Sequence, residues 1–330
     1  MKNISKLSVA LCTYNGEKFL KEQIDSILNQ TISVDEIIIC DDCSSDSTII
    51  ILNEYNQKHP NLFKIYINEF NLRSTKNFEK AISLATGDYI FLSDQDDVWR
   101  KDKVEKTLEI FSKNPIVEGV FSNANLIDDN SNPIYNEISL WESFCFFHES
   151  IKEPSDLRRS LIHIGNFLTG ATLCIKKEVK DFSIPFLTSD NFIHDEWLAY
   201  ILTERNTLMF STEKLISYRL HQNQQLGVGK LSNPEKTLKN NREYNHVLMD
   251  IYKPKRFKDC KAKVRFHYSQ YEKYYTLYEK HRIPLFKNIL DDLKTKFIES
   301  NLEMKKKYPI RYFFRIYSDK RKGKRQLKES

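Results

Sequence analysis

Strand-like apolar segments and helical periodicities alternate along the first 120 residues of the chain. Patterns typical of strands occur at 7–12, 36–40, 63–67, 88–93 and 117–121. Between them, apolar residues recur at helical spacing around 19–28, 46–59, 78–85 and 104–111. Strands that alternate with helices in this way predict an α/β fold, in which helices cover both faces of a mostly parallel sheet.

The pattern changes in the rest of the chain. It loosens from 123 to 170, as expected for an inserted region, and then predicts a strand at 171–176, a helix at 194–203 and a last strand at 215–220. Beyond about residue 229 the sequence is rich in Lys, Arg and Tyr and has few turn residues. We therefore predict an α/β domain over 1–228 and a helical region over 229–330.

The charge distribution supports this division. Residues 230–330 contain 28 Lys and Arg against 12 Asp and Glu, a net charge of +16. The remaining 229 residues contain 23 against 33, a net charge of −10. An acidic body that carries a basic helical region indicates that the two parts have different tasks.

The overall composition is that of a globular protein with a sizeable core. Hydrophobic residues make up 40% of the chain and charged residues 29%. No apolar run approaches the roughly 18 residues of a membrane-spanning helix, and the run at 7–12 is interpreted as a first strand, not a signal peptide. Six cysteines are too few for a disulfide scaffold, which favours a reducing cytoplasm.

Three predicted strands end in polar residues, at 13–16, 41–46 and 93–97. The carboxyl ends of parallel strands form the crevice in which such sheets bind ligands. Helix capping is an alternative role for a single acidic cluster, because Asp and Ser are preferred N-caps. Two acidic clusters on one edge would repel each other unless a cation or ligand donors compensated them.

The sharpest signal is Asp94-Gln95-Asp96-Asp97. Closely spaced carboxylates provide hard oxygen ligands for Mg²⁺ or Mn²⁺, which proteins bind together with substrate phosphates. The first strand is followed neither by a Walker-type phosphate loop nor by Gly-x-Gly-x-x-Gly. The sequence therefore favours a diphosphate that is held through a metal ion over one held by a glycine-rich loop.

Four ordered motifs carry a resemblance to a known family. They are LCTYNG at 11–16, DDCSSDST at 41–48, TGDYI at 86–90 and SDQDDVW at 93–99. Together they resemble family 2 glycosyltransferases, which are inverting enzymes of the GT-A fold that use nucleotide-diphosphate sugars. The resemblance covers roughly residues 5–225, and the DQDDVW motif with a later His-Asp-x-Trp is most similar to rhamnosyltransferase-like members of bacterial polysaccharide synthesis.

The resemblance implies a donor site and a metal site. The residues it assigns to the nucleotide sugar are Thr13, Tyr14, Asn15, Asp41, Asp42, Arg73, Lys76, Asn77, Asp94, Gln95 and Arg219. Arg73 and Lys76 would provide counter-charges for phosphate, with ordinary surface charge as the alternative, and Arg219 would clamp the pyrophosphate. Asp96 is the implied ligand of Mn²⁺ or Mg²⁺, and His221 would complete the metal site or donate to a phosphate.

The resemblance also implies a catalytic base and an acceptor side. An inverting transfer needs one base, opposite the leaving diphosphate, to take the proton of the acceptor hydroxyl. Asp195 is the predicted base, and Glu196 is the alternative because many relatives have Glu-Asp where this chain has His194-Asp195-Glu196. Thr169, Gly170 and Trp197 are the residues expected on the acceptor side.

The predicted function is transfer of a sugar from dTDP-rhamnose or a UDP-sugar to a glycan or lipid-linked acceptor. A nucleotidyltransferase, which also holds Mg²⁺ and phosphates with carboxylates, is the alternative enzyme. A basic nucleic-acid-binding protein is the alternative of another class, but the acidic body and the DQDD motif speak against nucleic acid as a partner.

The basic helical region suggests a cytoplasmic protein that is peripheral on the inner face of the membrane. Lys305, Lys306 and Lys307 are followed by the aromatic residues Tyr308, Tyr312, Phe313, Phe314 and Tyr317. Cations beside aromatic rings suit the headgroup layer of an anionic membrane. Packing on the catalytic domain and formation of a homodimer are the alternative roles for this region.

Overall fold

The structure is a computed structural model that describes residues 5–136, 138–187, 192–222, 224, 238–239, 254 and 256–327. Its residues form two compact units. The first is drawn from 1–158 and 166–238, and the second from 159–165 and 239–330. The predicted division between residues 228 and 229 lies outside the described residues and stays a prediction.

The chain up to residue 222 alternates strands and helices in its described part. The strands β1 to β9 are Leu7–Thr13, Glu36–Asp41, Phe63–Ile67, Tyr89–Ser93, Val98–Trp99, Gly119–Ile127, Pro133–Ile134, Leu173–Lys176 and Leu208–Arg219. The helices α1 to α8 are Leu20–Leu28, Thr48–Lys58, Arg73–Leu84, Lys103–Lys113, Leu140–Ser143, Pro154–Ile164, Val179–Ser183 and His194–Glu204. The predicted α/β fold class is confirmed.

The sheet contains both parallel and antiparallel neighbours: β6 and β9, for example, are parallel, whereas β5 is antiparallel to β9. The strand order is β3-β2-β1-β4-β8-β6-β9-β5, with β7 beside β6. The strands β3, β2, β1 and β4 are parallel neighbours, whereas β8 runs antiparallel to both β4 and β6. The predicted parallel arrangement is thus observed for β1 to β4, and the complete sheet is mixed.

The insertion of β8 between β4 and β6 explains why the sheet is mixed there. Because β8 is antiparallel to both neighbours, β6 runs in the same direction as β4, as the alternation of strands and helices predicts. The later strand β8 then fills the space between them. Periodicity along the chain reports burial but not which neighbours a strand finds, so it cannot detect such an insertion.

The core of the first unit surrounds β1 and β2, where all residues of both strands are buried. This explains their near-continuous apolar sequences, since a central strand covered on both faces has no polar side. Ile24 and Ile27 of α1, Leu52 of α2 and Phe91 of β4 belong to the same hydrophobic cluster. The polar residues at the carboxyl ends of β1 and β2 thus follow directly on a tightly packed hydrophobic core.

The second unit is built mainly from three helices, α9 to α11, at Phe257–His281, Pro284–Lys307 and Pro309–Arg321. The helical character predicted for this region is confirmed. Buried Tyr268, Tyr271 and Tyr274 on α9 face a core that includes Phe286 and Leu293 of α10. None of the helices in the described part of the chain is both long and apolar enough to cross a lipid bilayer.

Candidate active site

A cavity of about 1200 Å³ opens at the carboxyl ends of β1, β2 and β4 and at the start of α8. It brings together most of the side chains that the sequence assigned to the donor, the metal, the base and the acceptor. Thirteen of the predicted site residues line it: Thr13, Tyr14, Asn15, Asp42, Asn77, Asp94, Gln95, Asp96, Thr169, Gly170, Asp195, Glu196 and His221.

The register of the parallel strands explains why these motifs meet. Thr13 lies opposite Asp41, and Leu11 lies opposite Ser93, so β1, β2 and β4 end at the same level. The Gln95 side chain then links two strand ends, since it accepts from the Tyr14 amide at 2.8 Å and donates to the Tyr14 carbonyl at 2.9 Å.

Gly16 makes this link possible. A β-carbon at that position would collide with the Gln95 side-chain amide. The glycine of the first motif therefore allows the loop after β1 to approach the DQDD segment closely.

The two aspartates at the end of β2 hold neighbouring loops. Asp41 is fully buried and accepts the Thr13 hydroxyl at 2.7 Å and the Ser44 hydroxyl at 2.6 Å, so it shapes the loop without lining the cavity. Asp42 does line it, and its carboxylate accepts the backbone amides of Leu72 and Arg73 at 2.6 and 2.8 Å. Asp42 therefore also fixes the start of α3, the capping role that was the alternative for such residues.

Asp96 and His221 meet across the sheet. Their side chains lie 125 residues apart in sequence, yet the His221 Nε2 atom is 2.8 Å from the Asp96 Oδ2 atom. The His221 ring also packs against Phe19, with ring centroids 5.0 Å apart. The predicted metal-ligand pair is thus brought together. No group of three or more His, Cys, Asp or Glu side chains suited to a metal ion occurs in the described part of the chain.

The remaining two carboxylates of the motif have different surroundings. Withdrawal from solvent, together with the nearby carboxylates of Asp96 and Asp195, raises the pKa of Asp94. Asp97 points into the protein, where it accepts the Arg219 amide at 3.0 Å, and burial together with Asp96 and Asp94 raises its pKa. The site therefore concentrates negative charge that a bound cation would offset.

Lys103 lies beneath this carboxylate cluster. Its ammonium group donates to the Ala171 carbonyl at 2.8 Å and sits 3.9 Å from the centre of the Trp99 ring. Burial lowers the pKa of Lys103 to about 7, while the carboxylates of Asp97 and Asp94 oppose that shift. Lys103 is thus a buried cation that lowers the pKa of both Asp94 and Asp97, a role that the sequence did not reveal.

Replacing Lys103 by Met should destabilise the fold. The change keeps the length of the side chain but leaves the Ala171 carbonyl without its donor and the two carboxylates without this counter-charge. Loss of one partner from a buried charged cluster costs about 3 kcal/mol of the free energy of unfolding. Urea unfolding of the variant and the wild type measures this loss of the free energy of unfolding. Lys106→Met, one turn further along α4, is the control: Lys106 is partly exposed and pairs with Glu109 of its own helix at 3.2 Å, so this variant should unfold like the wild type. Equal midpoints for the two variants would contradict this role of Lys103.

Asp195 lies in the first turn of α8, where the helix dipole favours a negative charge. Its Oδ1 atom accepts the Asn166 side-chain amide at 3.1 Å and the Glu196 backbone amide at 2.6 Å. Two donors on one oxygen fix the orientation of the carboxylate. Glu196 also lines the cavity, so the structure brings both candidate bases to the site.

His194 precedes the two acids and also lines the cavity. It is 4% exposed, stacks on Phe78 with ring centroids 4.2 Å apart, and neither ring nitrogen has a hydrogen-bond partner in the described part of the chain. Burial lowers the pKa of His194 to about 3, so the ring is neutral at physiological pH. The His194 ring also leaves no room for a side chain at position 170, because a β-carbon on Gly170 would lie 2.7 Å from Nε2.

The structure contradicts the predicted phosphate clamp at Arg219. This side chain is fully buried, and its guanidinium donates to the Asp96 carbonyl at 2.7 Å, the Asp128 carbonyl at 2.9 Å and the Glu22 carboxylate at 2.6 Å. Its donors are directed to the protein. Arg219 thus anchors the DQDD segment to β9, and any effect on the ligand is indirect.

Three further predicted residues do not line the described part of the cavity. The Lys76 ammonium forms a salt bridge with the Glu79 carboxylate at 2.8 Å. The Arg73 backbone amide donates a hydrogen bond to the Asp42 carboxylate. Trp197 is buried, and its indole donates to the Ser183 carbonyl at 2.8 Å. Trp197 follows two cavity-lining residues on a helix, so its side chain emerges from a different face and enters the core. The side chain of Trp197 therefore does not line the described part of the cavity, where the acceptor contact was expected.

Sequence reasoning missed several polar residues that line the cavity, among them Lys18, Asp128 and Asp129. Lys18 pairs with Asp129 at 2.6 Å over a separation of 111 residues. Only the position of Lys18, two residues after the first motif, could have drawn attention to it. The segment that contains Asp128 and Asp129 follows β6 and has no motif of its own.

The site can now be compared with known proteins. Residues 8–179 match the family described as Glycosyl transferase family 2. The chain is 31% identical over 233 residues to dTDP-rhamnosyl transferase RfbG of Shigella flexneri, an alignment that covers 66% of this chain and 73% of that protein. Alignments to further curated relatives cover from 20% to 77% of those proteins' lengths.

Two solved structures share the fold. Residues 1–349 of S. aureus TarS, in complex with UDP-GlcNAc, superpose with a TM-score of 0.54 at 15% identity and cover 97% of this chain and 92% of that one. The mannosyltransferase PcManGT of Pyrobaculum calidifontis, in complex with GDP-Man and Mn²⁺, gives 0.51 at 14% identity, covering 92% and 88%. At these identities the likeness concerns the fold, which is the predicted GT-A fold.

The family match includes the ends of β1, β2 and β4 with the DQDD motif, whereas Asp195, Glu196 and His221 lie beyond its last residue, 179. It nevertheless covers more than half of the chain, and the alignment with the rhamnosyl transferase extends over most of that relative. The chain therefore belongs to glycosyl transferase family 2 and is a glycosyltransferase.

Proposed function

We propose that this chain is an inverting, divalent-cation-dependent glycosyltransferase that moves a sugar from a nucleotide-diphosphate sugar to a glycan or lipid-linked acceptor. The first donor candidate is dTDP-rhamnose, followed by UDP-sugars. The 31% identity to a dTDP-rhamnosyl transferase supports rhamnose. Membership of family 2 favours sugar transfer over both the nucleotidyltransferase and the nucleic-acid-binding alternatives.

The observation that carries the cation dependence is the charge of the cavity. Among the described residues that line it, the only Lys or Arg is Lys18. Seven carboxylates line the same space: Asp42, Asp94, Asp96, Asp128, Asp129, Asp195 and Glu196. A nucleoside diphosphate is itself strongly anionic, so its binding here requires added positive charge.

The donor set of Asp96 and His221 fits a divalent cation. One carboxylate oxygen and one imidazole nitrogen already lie within 2.8 Å of each other on the cavity wall. Mg²⁺ and Mn²⁺ bind through few protein groups and complete their coordination with water and substrate phosphate. When bound, such an ion would offset the charge that develops on the departing nucleoside diphosphate.

The chain's own residues supply the remaining chemistry. Asp195 accepts the proton of the acceptor hydroxyl as the hydroxyl oxygen forms its bond to the anomeric carbon of the donor sugar. The bond from that carbon to the diphosphate oxygen breaks, and the nucleoside diphosphate leaves with the electron pair. Attack opposite the leaving group inverts the anomeric configuration, and Asn166 keeps the Asp195 carboxylate in place throughout.

A donor screen tests the proposed function. The purified chain is incubated with Mn²⁺ or Mg²⁺, a panel of sugar nucleotides and lipid-linked or glycan acceptors, and nucleoside diphosphate is measured. We expect release of dTDP from dTDP-rhamnose to exceed release from UDP- and GDP-sugars. The matched control is the same mixture with excess chelator, in which release should stop.

Two results would contradict the proposal. Pyrophosphate release without nucleoside diphosphate would indicate nucleotidyl transfer. Strong turnover of another donor with none of dTDP-rhamnose would leave glycosyl transfer in place but exclude the proposed sugar.

A further inference from the structure

The last helix, α11, exposes a continuous apolar stripe. Ile310, Phe313, Phe314 and Tyr317 are 73%, 67%, 66% and 62% exposed. Their spacing of i, i+3, i+4 and i+7 places all four on one side of the helix. The rings of Phe313 and Phe314 also contact each other, with centroids 5.9 Å apart.

The opposite side of α11 packs inward. There Arg315 is buried and donates to the Asn301 side chain of α10 at 3.1 Å, and it pairs with buried Asp319 at 3.5 Å. Asp319 in turn holds Arg325 of the following turn. The helix is therefore fixed to its own unit by the side that carries Arg315 and Asp319, which leaves the apolar stripe outward.

Positive charge surrounds the stripe. Residues 305–324 contain nine Lys and Arg and one acid, Asp319, which is buried. The exposed cations of this segment are Lys305, Lys306, Lys307, Arg311, Lys320, Arg321, Lys322 and Lys324. No acidic side chain is exposed within it.

We propose that this face of α11 docks on an anionic lipid bilayer. Helices that lie in the plane of a membrane combine an apolar side, buried at the level of the acyl boundary, with Lys and Arg that meet lipid phosphates. Aromatic rings such as Phe313 and Phe314 suit that interfacial layer. The inference rests only on the second unit and does not depend on the proposed sugar transfer.

Charge decides between a bilayer and a second copy of the chain. In a symmetric dimer the same patch of both subunits meets itself. Such a contact through α11 would bring two clusters of exposed cations together without an exposed acid in either segment to compensate them. An anionic surface provides that compensation and also buries the aromatic side chains.

Vesicle co-sedimentation of the whole 330-residue chain tests the proposal. We expect most of the protein to pellet with vesicles made of equal parts of phosphatidylcholine and phosphatidylglycerol at low salt. It should stay in the supernatant with phosphatidylcholine alone, and about 0.5 M NaCl should weaken the binding by screening. The double variant Phe313→Ser/Phe314→Ser keeps every charge, and its partition coefficient should fall about tenfold or more.

A matched variant controls for the general loss of exposed apolar surface. Ile50 and Ile116 are 62% and 77% exposed in the first unit, so Ile50→Ser/Ile116→Ser should pellet like the wild type. Circular dichroism verifies that each variant is folded. Equal pelleting of the wild type and the Phe313/Phe314 variant would overturn the proposal, as would a wild type that stays in the supernatant. A wild-type dimer that this variant dissociates, without vesicle binding, would assign the face to self-association instead.

Discussion

Replacing Asp96 by Ala is expected to abolish sugar transfer while leaving the protein folded. Asp96 provides the carboxylate of the proposed cation site, and loss of that site removes several kcal/mol of charge stabilisation. Activity should therefore fall at least about 10²-fold. Removal of the cation should have the same effect as this substitution. EDTA treatment of the wild type should stop nucleoside diphosphate release until Mn²⁺ or Mg²⁺ is added in excess.

Stability separates this effect from misfolding. Asp96 raises the pKa of its neighbours Asp94 and Asp97 by repulsion, so its removal relieves unfavourable charge. The carbonyl that accepts from Arg219 belongs to the backbone and is retained. Loss of the 2.8 Å contact with His221 opposes this gain, so the thermal midpoint of the Asp96→Ala variant should stay close to that of the wild type. Full activity of the wild type in metal-free buffer would exclude this role for Asp96.

Asp195→Asn is expected to lower the rate of transfer about 10²–10⁴-fold, the usual loss when a positioned base is removed. The amide oxygen of Asn can take the place of Oδ1, which accepts from both Asn166 and the Glu196 amide. The amide nitrogen then replaces Oδ2 and cannot accept a proton. Geometry and donor affinity should therefore persist while kcat falls, which steady-state kinetics with varied donor and acceptor would measure.

Glu196→Gln is the matched variant for this test. Glu196 is the neighbouring residue on α8, it lines the same cavity, and its substitution also removes one negative charge. We expect this variant to keep most of the activity. An inactive Glu196→Gln beside an active Asp195→Asn would reassign the base to Glu196.

Much of the site followed from the sequence: short-range patterns predicted where the strand ends meet, and the resemblance to family 2 glycosyltransferases implied the roles of the residues there and on α8. A buried central strand needs an unbroken apolar run, and parallel strands present their carboxyl ends at one edge. The motifs after β1, β2 and β4 therefore had to converge. Thirteen of the predicted residues line the cavity, including Asp96 and Asp195.

The predicted phosphate clamp fails at Arg219, whose surroundings come from distant parts of the chain. Arg219 is enclosed by Glu22, Asp96 and Asp128, which are 197, 123 and 91 residues away. A motif identifies its residue type, but burial and the direction of its donors depend on these partners. Lys103 is the reverse case, because only packing reveals that an ordinary helical lysine lies beneath the carboxylates.

The sequence by itself determined the α/β alternation, the acidic strand ends, the family motifs and the basic helical region, since each is a local pattern of residue types. The tertiary structure alone decided that β8 lies antiparallel between β4 and β6. It also decided which side of α11 is covered: Arg315 and Asp319 pair inward, so Phe313 and Phe314 are left exposed. Strand neighbours and buried faces arise from contacts between distant segments, and periodicity along one segment carries no information about them.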